Sequence, residues 1–272
     1  MITQGQIENL AQDFKIDKFT IFREYLQLVF LSYLYQNKKA NKIYFKGGTA
    51  IHLLLGSPRF SEDLDFGTGY ERKKIKEIIG EIKNQIKREL PEVEISLLYQ
   101  GKKSLRFRFK YQLLGFKYPF SVRLDFTQKE KPKKTVTSPL VTRFPLVFFP
   151  LVPHLSFEEI LAEKVRAFLI RGKGRDLFDL WFLLEKGIKI DYFLVEQKLK
   201  EVGRKFKREL FLKKIKNYPF KNLKSDLAKF LPQSQREIIG ILKDILLKKM
   251  EKDVLRRGRT NSPNRWKFGN YC

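Results

Sequence analysis

A double glycine set between a strand-like run and a short apolar helix limits this chain more than any other feature. Ile43-Tyr44-Phe45-Lys46 reads as a strand and runs directly into Gly47-Gly48. Residues 49–55 follow as a brief helix, closed by Gly56-Ser57-Pro58. Leu64 and Phe66 mark a second strand within Asp63-Leu64-Asp65-Phe66. Side chains alternate along a strand, so Asp63 and Asp65 project together while Leu64 and Phe66 enter the core. Two later segments alternate as cleanly. Over 104–110, Leu105, Phe107 and Phe109 share one face and Arg106, Arg108 and Lys110 the other. Over 120–126, Phe120, Val122, Leu124 and Phe126 oppose Ser121, Arg123 and Asp125.

Helical periodicity frames these strands. Leu10, Phe14, Ile21, Tyr25, Leu28, Val29 and Tyr33 predict a helix over 8–35, and Ile75, Ile78, Ile79, Ile82, Ile86 and Leu90 predict another. The stretch from Phe126 to Pro153 is rich in Lys, Thr and Pro and reads as a connection between domains. Beyond it the pattern is helical. Ser156 with Glu159 makes a capping-box start for a helix to about residue 170, 175–185 forms the next, and basic helices follow up to a strong one over 235–249. From Leu255 onward Arg256, Arg257, Arg259, Arg265 and Lys267 stand without any acid, as expected of a mobile basic tail. The expectation is an α+β chain. Residues 1–150 form a domain with a mixed sheet, 151–254 an all-helical domain and 255–272 a basic flexible tail.

Composition removes several classes of function. With 43% hydrophobic residues in 272, the chain can bury a core, so wholesale disorder is excluded. No run approaches the ~20 apolar residues of a membrane helix, and the first residues lack a basic start followed by an apolar run. One cysteine, Cys272, and two histidines, His52 and His154, exclude intrachain disulfides, thiolate metal cages and multi-histidine zinc sites. A metal here would be hard and held by carboxylates. Lys and Arg outnumber Asp and Glu by 56 to 30, a net charge of +26 suited to a polyanionic partner. A cytoplasmic protein is expected.

The Asp63/Asp65 pair needs an offsetting charge. Like charges roughly 4 Å apart repel by about 4 kcal/mol at an effective dielectric near 20. A divalent cation is the simplest remedy, and hard oxygen ligands favour Mg²⁺ or Mn²⁺. At the neighbouring turn, a backbone without Cβ admits phosphate, the first amides of the 49–55 helix donate to it, and Thr49 adds a hydroxyl. The bland reading is a tight turn beside a solvated strand end. The two halves together, across one short helix, favour the site.

This arrangement resembles the nucleotidyltransferase superfamily signature, with its DNA polymerase β-like fold. Gly48-Thr49 is followed by thirteen residues and then Asp63-Leu64-Asp65-Phe66; either Thr49 takes the place of the usual serine or Gly47-Gly48 is the pair. Asp125, in Val122-Arg123-Leu124-Asp125-Phe126, matches the third carboxylate. Lys46-Gly47-Gly48-Thr49, Ala162-Glu163-Lys164 and Arg175-Asp176-Leu177-Phe178-Asp179-Leu180 resemble the AbiEii/AbiGii toxin branch, over roughly residues 40–185. The resemblance implies nucleotidyl transfer in toxin-antitoxin and phage-defence systems, with some members modifying tRNA 3′ ends. It implies Asp63, Asp65 and Asp125 as ligands of Mg²⁺ (or Mn²⁺), Lys46, Gly47, Gly48, Thr49 and Lys164 at the nucleotide, and Asp176 beside base, ribose or Lys164. The implied partners are an NTP, RNA (tRNA above all) and a cognate antitoxin protein.

Lys164 also has an argument of its own. Its neighbours one helical turn away, Ile160 and Phe168, are apolar, so it sits on an inward stripe where a lysine needs a partner such as phosphate. The alternative is a lysine snorkelling at the stripe's edge. Asp176 has a plain alternative as the cap of its helix, Asp179 as an ion pair or packing residue, and Glu163 is expected to face solvent or Arg166. Arg106, Arg108 and Lys110 form a basic strand face with no single role assigned. His52, among leucines, is expected to be packed or near phosphate, and Gly101-Lys102-Lys103-Ser104 imitates a P-loop without its upstream glycine. Two rivals remain: the same enzyme acting on a small-molecule or protein hydroxyl, and a non-catalytic RNA-binding protein on the same scaffold.

Overall fold

Two helices stand at the N-terminus where the periodicity predicts one: α1, Gln4–Phe14, and α2, Lys18–Gln36. The apolar stripe continues across the break. Lys15 adopts a left-handed conformation (φ 51°) and the Asp17 carboxylate accepts from the Thr20 amide at 2.8 Å, which closes one helix and opens the next. In this computed structural model, residues 2–260 are described, apart from 114–115, 117, 129–131, 141 and 147.

The predicted strand–glycine–helix–strand unit forms as β1 (Ile43–Lys46), α3 (Gly47–Leu55) and β2 (Asp63–Thr68). Gly56 ends α3 in the left-handed region. Helix α4 (Arg72–Glu89) buries its isoleucine stripe and leads to β3 (Glu94–Gly101), β4 (Ser104–Tyr111) and β5 (Phe120–Thr127). Strands β6 (Thr135–Pro139) and β7 (Leu151–Leu155) lie in the stretch expected to be a connection. The seven strands form one mixed sheet in the order β3-β4-β5-β2-β1-β7-β6, with β2–β5 and β1–β7 parallel and the remaining pairs antiparallel. Strands β3 and β6 carried no clear signal for a physical reason. β3 buries only Ile95 fully and β6 lies at the edge with no buried residue, so backbone pairing rather than alternating burial holds them.

The apolar side of the sheet packs on α2. Phe66 stacks on Phe126 (centroids 4.8 Å apart), and Phe30 of α2 lies 6.2 Å from Phe66 and 6.0 Å from Phe109. The opposite side of β2 and β5 therefore carries Asp63, Asp65 and Asp125.

After β7 the chain is helical: α5 (Phe157–Ile170), α6 (Gly174–Glu185), α7 (Tyr192–Lys200), α8 (Arg208–Lys216), α9 (Phe220–Leu227) and α10 (Ile238–Thr260). The expected tail from Leu255 is helical as far as Thr260, and its remainder, 261–272, lies outside the described residues. Half of the predicted capping box forms, with Ser156 accepting from the Glu159 amide at 3.3 Å. The Glu159 carboxylate turns away instead. It accepts from the amides of Lys133 (2.9 Å) and Lys134 (2.6 Å) and faces Lys198 Nζ at 2.7 Å. No described helix is long and apolar enough to cross a membrane.

Glu159 is fully buried and thus joins α5 to the segment before β6 and to α7. Removing one member of such a cluster strands the others without partners. Glu159→Ala is expected to lower the unfolding free energy by about 3 kcal/mol, read from urea denaturation midpoints. A change below ~1 kcal/mol would show that the cluster contributes nothing.

Candidate active site

Strand register builds the site. Lys46 on β1 is level with Asp65 on β2, Asp65 with Asp125 on β5, and Asp125 with Arg106 on β4. Residues level with one another point to the same side of a sheet, so this row runs cation, carboxylate, carboxylate, cation. The next row holds Asp63, Arg123 and Arg108. The three predicted carboxylates converge on one cavity of about 440 Å³, which Lys46, Arg59, Arg106, Arg123, Lys164, Arg171 and Arg175 also line. A larger hollow of about 630 Å³ near Gly187–Phe193 carries no comparable cluster of carboxylates.

Each outer carboxylate holds an arginine. Arg123 grips Asp63 with two nitrogens, its Nε at 2.8 Å, and Arg106 Nε donates to Asp125 at 2.5 Å. Among the described residues, Asp65 has no such clamp. Burial, followed by the charges of Asp63 and Asp125, pushes its pKa up to about 6 despite Lys46 and Lys164. The same carboxylates raise the pKa of Arg123, chiefly through the hydrogen bond to Asp63.

The glycines are required by two different contacts. Gly47 takes φ +83°, and a Cβ there would strike the Asp65 carboxylate; a Cβ on Gly48 would strike the Arg59 guanidinium. Thr49 departs from expectation. It is buried and its hydroxyl donates to the Asp63 carbonyl oxygen, so it ties α3 to β2 instead of facing a nucleotide. His52 is packed at the far end of α3, 2.9 Å from Glu24; burial lowers its pKa, but Glu24 outweighs this and the net shift is upward.

Behind the cavity wall, acids fix the cations that line it. Asp179 holds Arg59 by two bonds (2.8 and 2.9 Å) and Lys164 Nζ at 2.7 Å. Burial would raise the Asp179 pKa, yet Arg59 and Lys164 hold it below the usual range. Asp176 holds Arg171 by two bonds (3.0 and 2.7 Å) and stands 3.8 Å from Lys164. Lys173 occupies the cap position of α6, so Asp176 is a buried ion-pair partner rather than a cap. Glu163, expected to face solvent or Arg166, is buried. It accepts from Lys46 and Lys198, both at 3.1 Å, with Arg166 at 4.0 Å. The fold brings α5 and α7 against the end of β1, and two lysines there require an acid. Arg59 and Arg171 escaped the sequence reading; Arg59 lies in a loop with no periodicity to mark it, and Lys198 reads from sequence only as one of many basic residues in the helical half.

The donor set is all oxygen, which suits a hard divalent cation. Among the described residues, no three His, Cys, Asp or Glu side chains stand close enough to hold an ion as they are. Arginines occupy two of the three carboxylates here. Arg106 and Arg123 are 42% and 49% exposed, and ion pairs so exposed exchange at little cost. The residues therefore fit a cation that takes the arginines' place.

Comparison with known proteins agrees with this chemistry. Residues 29–260 match the family described as "Nucleotidyl transferase AbiEii toxin, Type IV TA system". Among curated proteins none matches the sequence. The fold is similar to MenT4, a nucleotidyltransferase toxin from Mycobacterium tuberculosis H37Rv (TM-score 0.62, 20% identity, 97% of this chain and 96% of that one). It is also similar to JHP933 from Helicobacter pylori (TM-score 0.55, 22% identity, 90% and 99%).

The Asp65 shift has a pH signature. Its folded-state pKa of about 6 lies above the ordinary 3.8, so the folded chain binds this proton more tightly and loses stability as pH rises through that window. Asp65→Asn is expected to stabilise the cation-free protein by about 2 kcal/mol near pH 7, with the gain fading by about pH 4. Urea midpoints at both pH values check this; an equal gain at both would contradict it.

Proposed function

The chain belongs to the AbiEii nucleotidyl transferase toxin family of type IV toxin-antitoxin systems, and we propose that it transfers a nucleoside monophosphate from an NTP to the 3′ end of an RNA, with tRNA the expected acceptor. The observation that carries this reading is the level placement of Asp65 and Asp125 on adjacent parallel strands, with Asp63 beside them, in an otherwise cationic cavity.

Asp63, Asp65 and Asp125 would hold Mg²⁺ or Mn²⁺. Such an ion, when bound, neutralises phosphate charge and favours loss of a hydroxyl proton. The amides at the start of α3, opened by Gly47 and Gly48, face the anion. Lys46, Arg59, Lys164 and Arg171 offset the triphosphate charge, and their buried acids Glu163, Asp179 and Asp176 keep them aimed into the cavity. The RNA 3′-oxygen attacks the α-phosphorus, the bond to the β-phosphate oxygen breaks and pyrophosphate leaves. Asp125, on the open side of the sheet, accepts the hydroxyl proton. A cognate antitoxin protein is the expected partner, and the cytoplasm, where NTPs and tRNA meet, the expected compartment.

The test is incubation with Mg²⁺, each α-labelled NTP in turn and total tRNA, beside Asp65→Ala. Label is expected to enter tRNA with the wild type and with at least one nucleotide, and to stay at background with the variant. Label entering only protein or a small molecule would move the acceptor elsewhere. Equal labelling by both proteins, or none with any nucleotide, would contradict the reading.

A further inference from the structure

The basic strand face noted in the sequence is not absorbed by the chemistry above. We propose that the open side of β3, β4 and β5 is the platform along which a single-stranded RNA acceptor reaches the cavity. This rests on the RNA reading and adds where the strand lies.

The platform continues the catalytic row. Asp125 is level with Arg106, and Arg106 with Tyr99 on β3. The following rows are Arg123, Arg108 and Ser96, then Ser121, Lys110 and Glu94. Alternate β4 residues lie about 7 Å apart, so Arg106, Arg108 and Lys110 form a cationic track leading away from the carboxylates. The other side of β4 is buried, while these three remain partly open to solvent.

Two features are hard to explain as a plain solvated surface. Arg108 and Arg123 stand directly opposite one another, a like-charge pairing that costs stability. Asp63 offsets Arg123, whereas Arg108 and Lys110 make no ion pair among the described residues, even though Glu94 is level with Lys110. The second feature is a register shift in β3 between Leu97 and Tyr99, which places Tyr99 rather than Leu98 level with Arg106. Tyr99 is 55% exposed and its ring lies along the backbone of Gly101, where a Cβ would come within 2.7 Å of the hydroxyl and 2.9 Å of the ring. The Ser104 hydroxyl, which would stand 2.9 Å from that same Cβ, belongs to a residue that lines the cavity. An exposed aromatic face at the cavity rim, next to a line of cations of which Arg108 and Lys110 have no ion-pair partner among the described residues, is the combination that binds single strands: bases stack and phosphates meet charge.

The experiment measures binding of a fluorescent single-stranded RNA dodecamer by anisotropy across a salt series. Arg108→Glu with Lys110→Glu is expected to weaken binding at least tenfold and to flatten the log Kd against log salt slope by about 1.4, since each phosphate contact contributes ~0.7. Tyr99→Ala is expected to weaken binding several-fold at every salt concentration with the slope unchanged. The milder pair Arg108→Gln with Lys110→Gln, at an unchanged melting temperature, guards against misfolding and should show the same direction. RNA binding as tight as wild type in these variants, while the wild type still labels RNA, overturns the platform and leaves the transferase reading intact. Unchanged RNA binding with loss of antitoxin neutralisation would assign the face to the protein partner and overturn it equally. A wild type that neither binds nor labels RNA overturns both.

Discussion

The parallel pairing of β2 with β5 is the constraint on which the rest depends. It sets Asp65 level with Asp125 and places Asp63 on the same side, so three acids share one cavity and repel. The surroundings answer that repulsion. Arg123 and Arg106 neutralise the outer two acids, and Lys46 stands level with the middle one. Asp65 still carries a pKa near 6, raised first by its burial and then by the charges of Asp63 and Asp125.

The helical half of the chain completes this electrostatic arrangement. Lys164 of α5 and Asp179 of α6 meet Arg59 from the loop before β2, and Arg59 in turn lies against Gly48. On the other flank, Glu163 of α5 links Lys46 at the end of β1 to Lys198 of α7. Buried ion pairs of this kind add little net stability because desolvation opposes the Coulomb gain. Their effect here is on aim. Lys46, Arg59 and Lys164, themselves largely buried, have lost the freedom to fold back, so this part of the site meets a polyphosphate already ordered. Helix α3 is tied in at the same place, since the Thr49 hydroxyl holds the Asp63 backbone and Gly47 makes room for Asp65.

Much of this was legible in the sequence because alternation reports which face a residue takes. The period of two in 63–66, 104–110 and 120–126 placed Asp63, Asp65 and Asp125 on polar faces, and the double glycine marked the turn beside them. The spacing could not report which strand lies next to which, so the level rows that join Lys46, Asp65, Asp125 and Arg106 were invisible. Nor could it show long-range partners. Arg59 bonds Asp179 across 120 residues, and Glu163 serves Lys46 across 117, so neither had a local signature. Thr49 and Glu159 carried correct local signals, a helix start and a capping box, but tertiary partners took their side chains elsewhere. The break between α1 and α2 rests on one left-handed lysine that hydrophobic periodicity passes over.

The most direct measurement is a crystal soaked with Mn²⁺ and a non-hydrolysable NTP, recorded for anomalous scattering. Manganese bound by Asp63, Asp65 and Asp125, with Arg106 and Arg123 moved off their carboxylates and the triphosphate against Lys46 and the start of α3, is the expected result. A nucleotide seated away from β2 and β5, with both arginines still gripping their acids, would contradict the account.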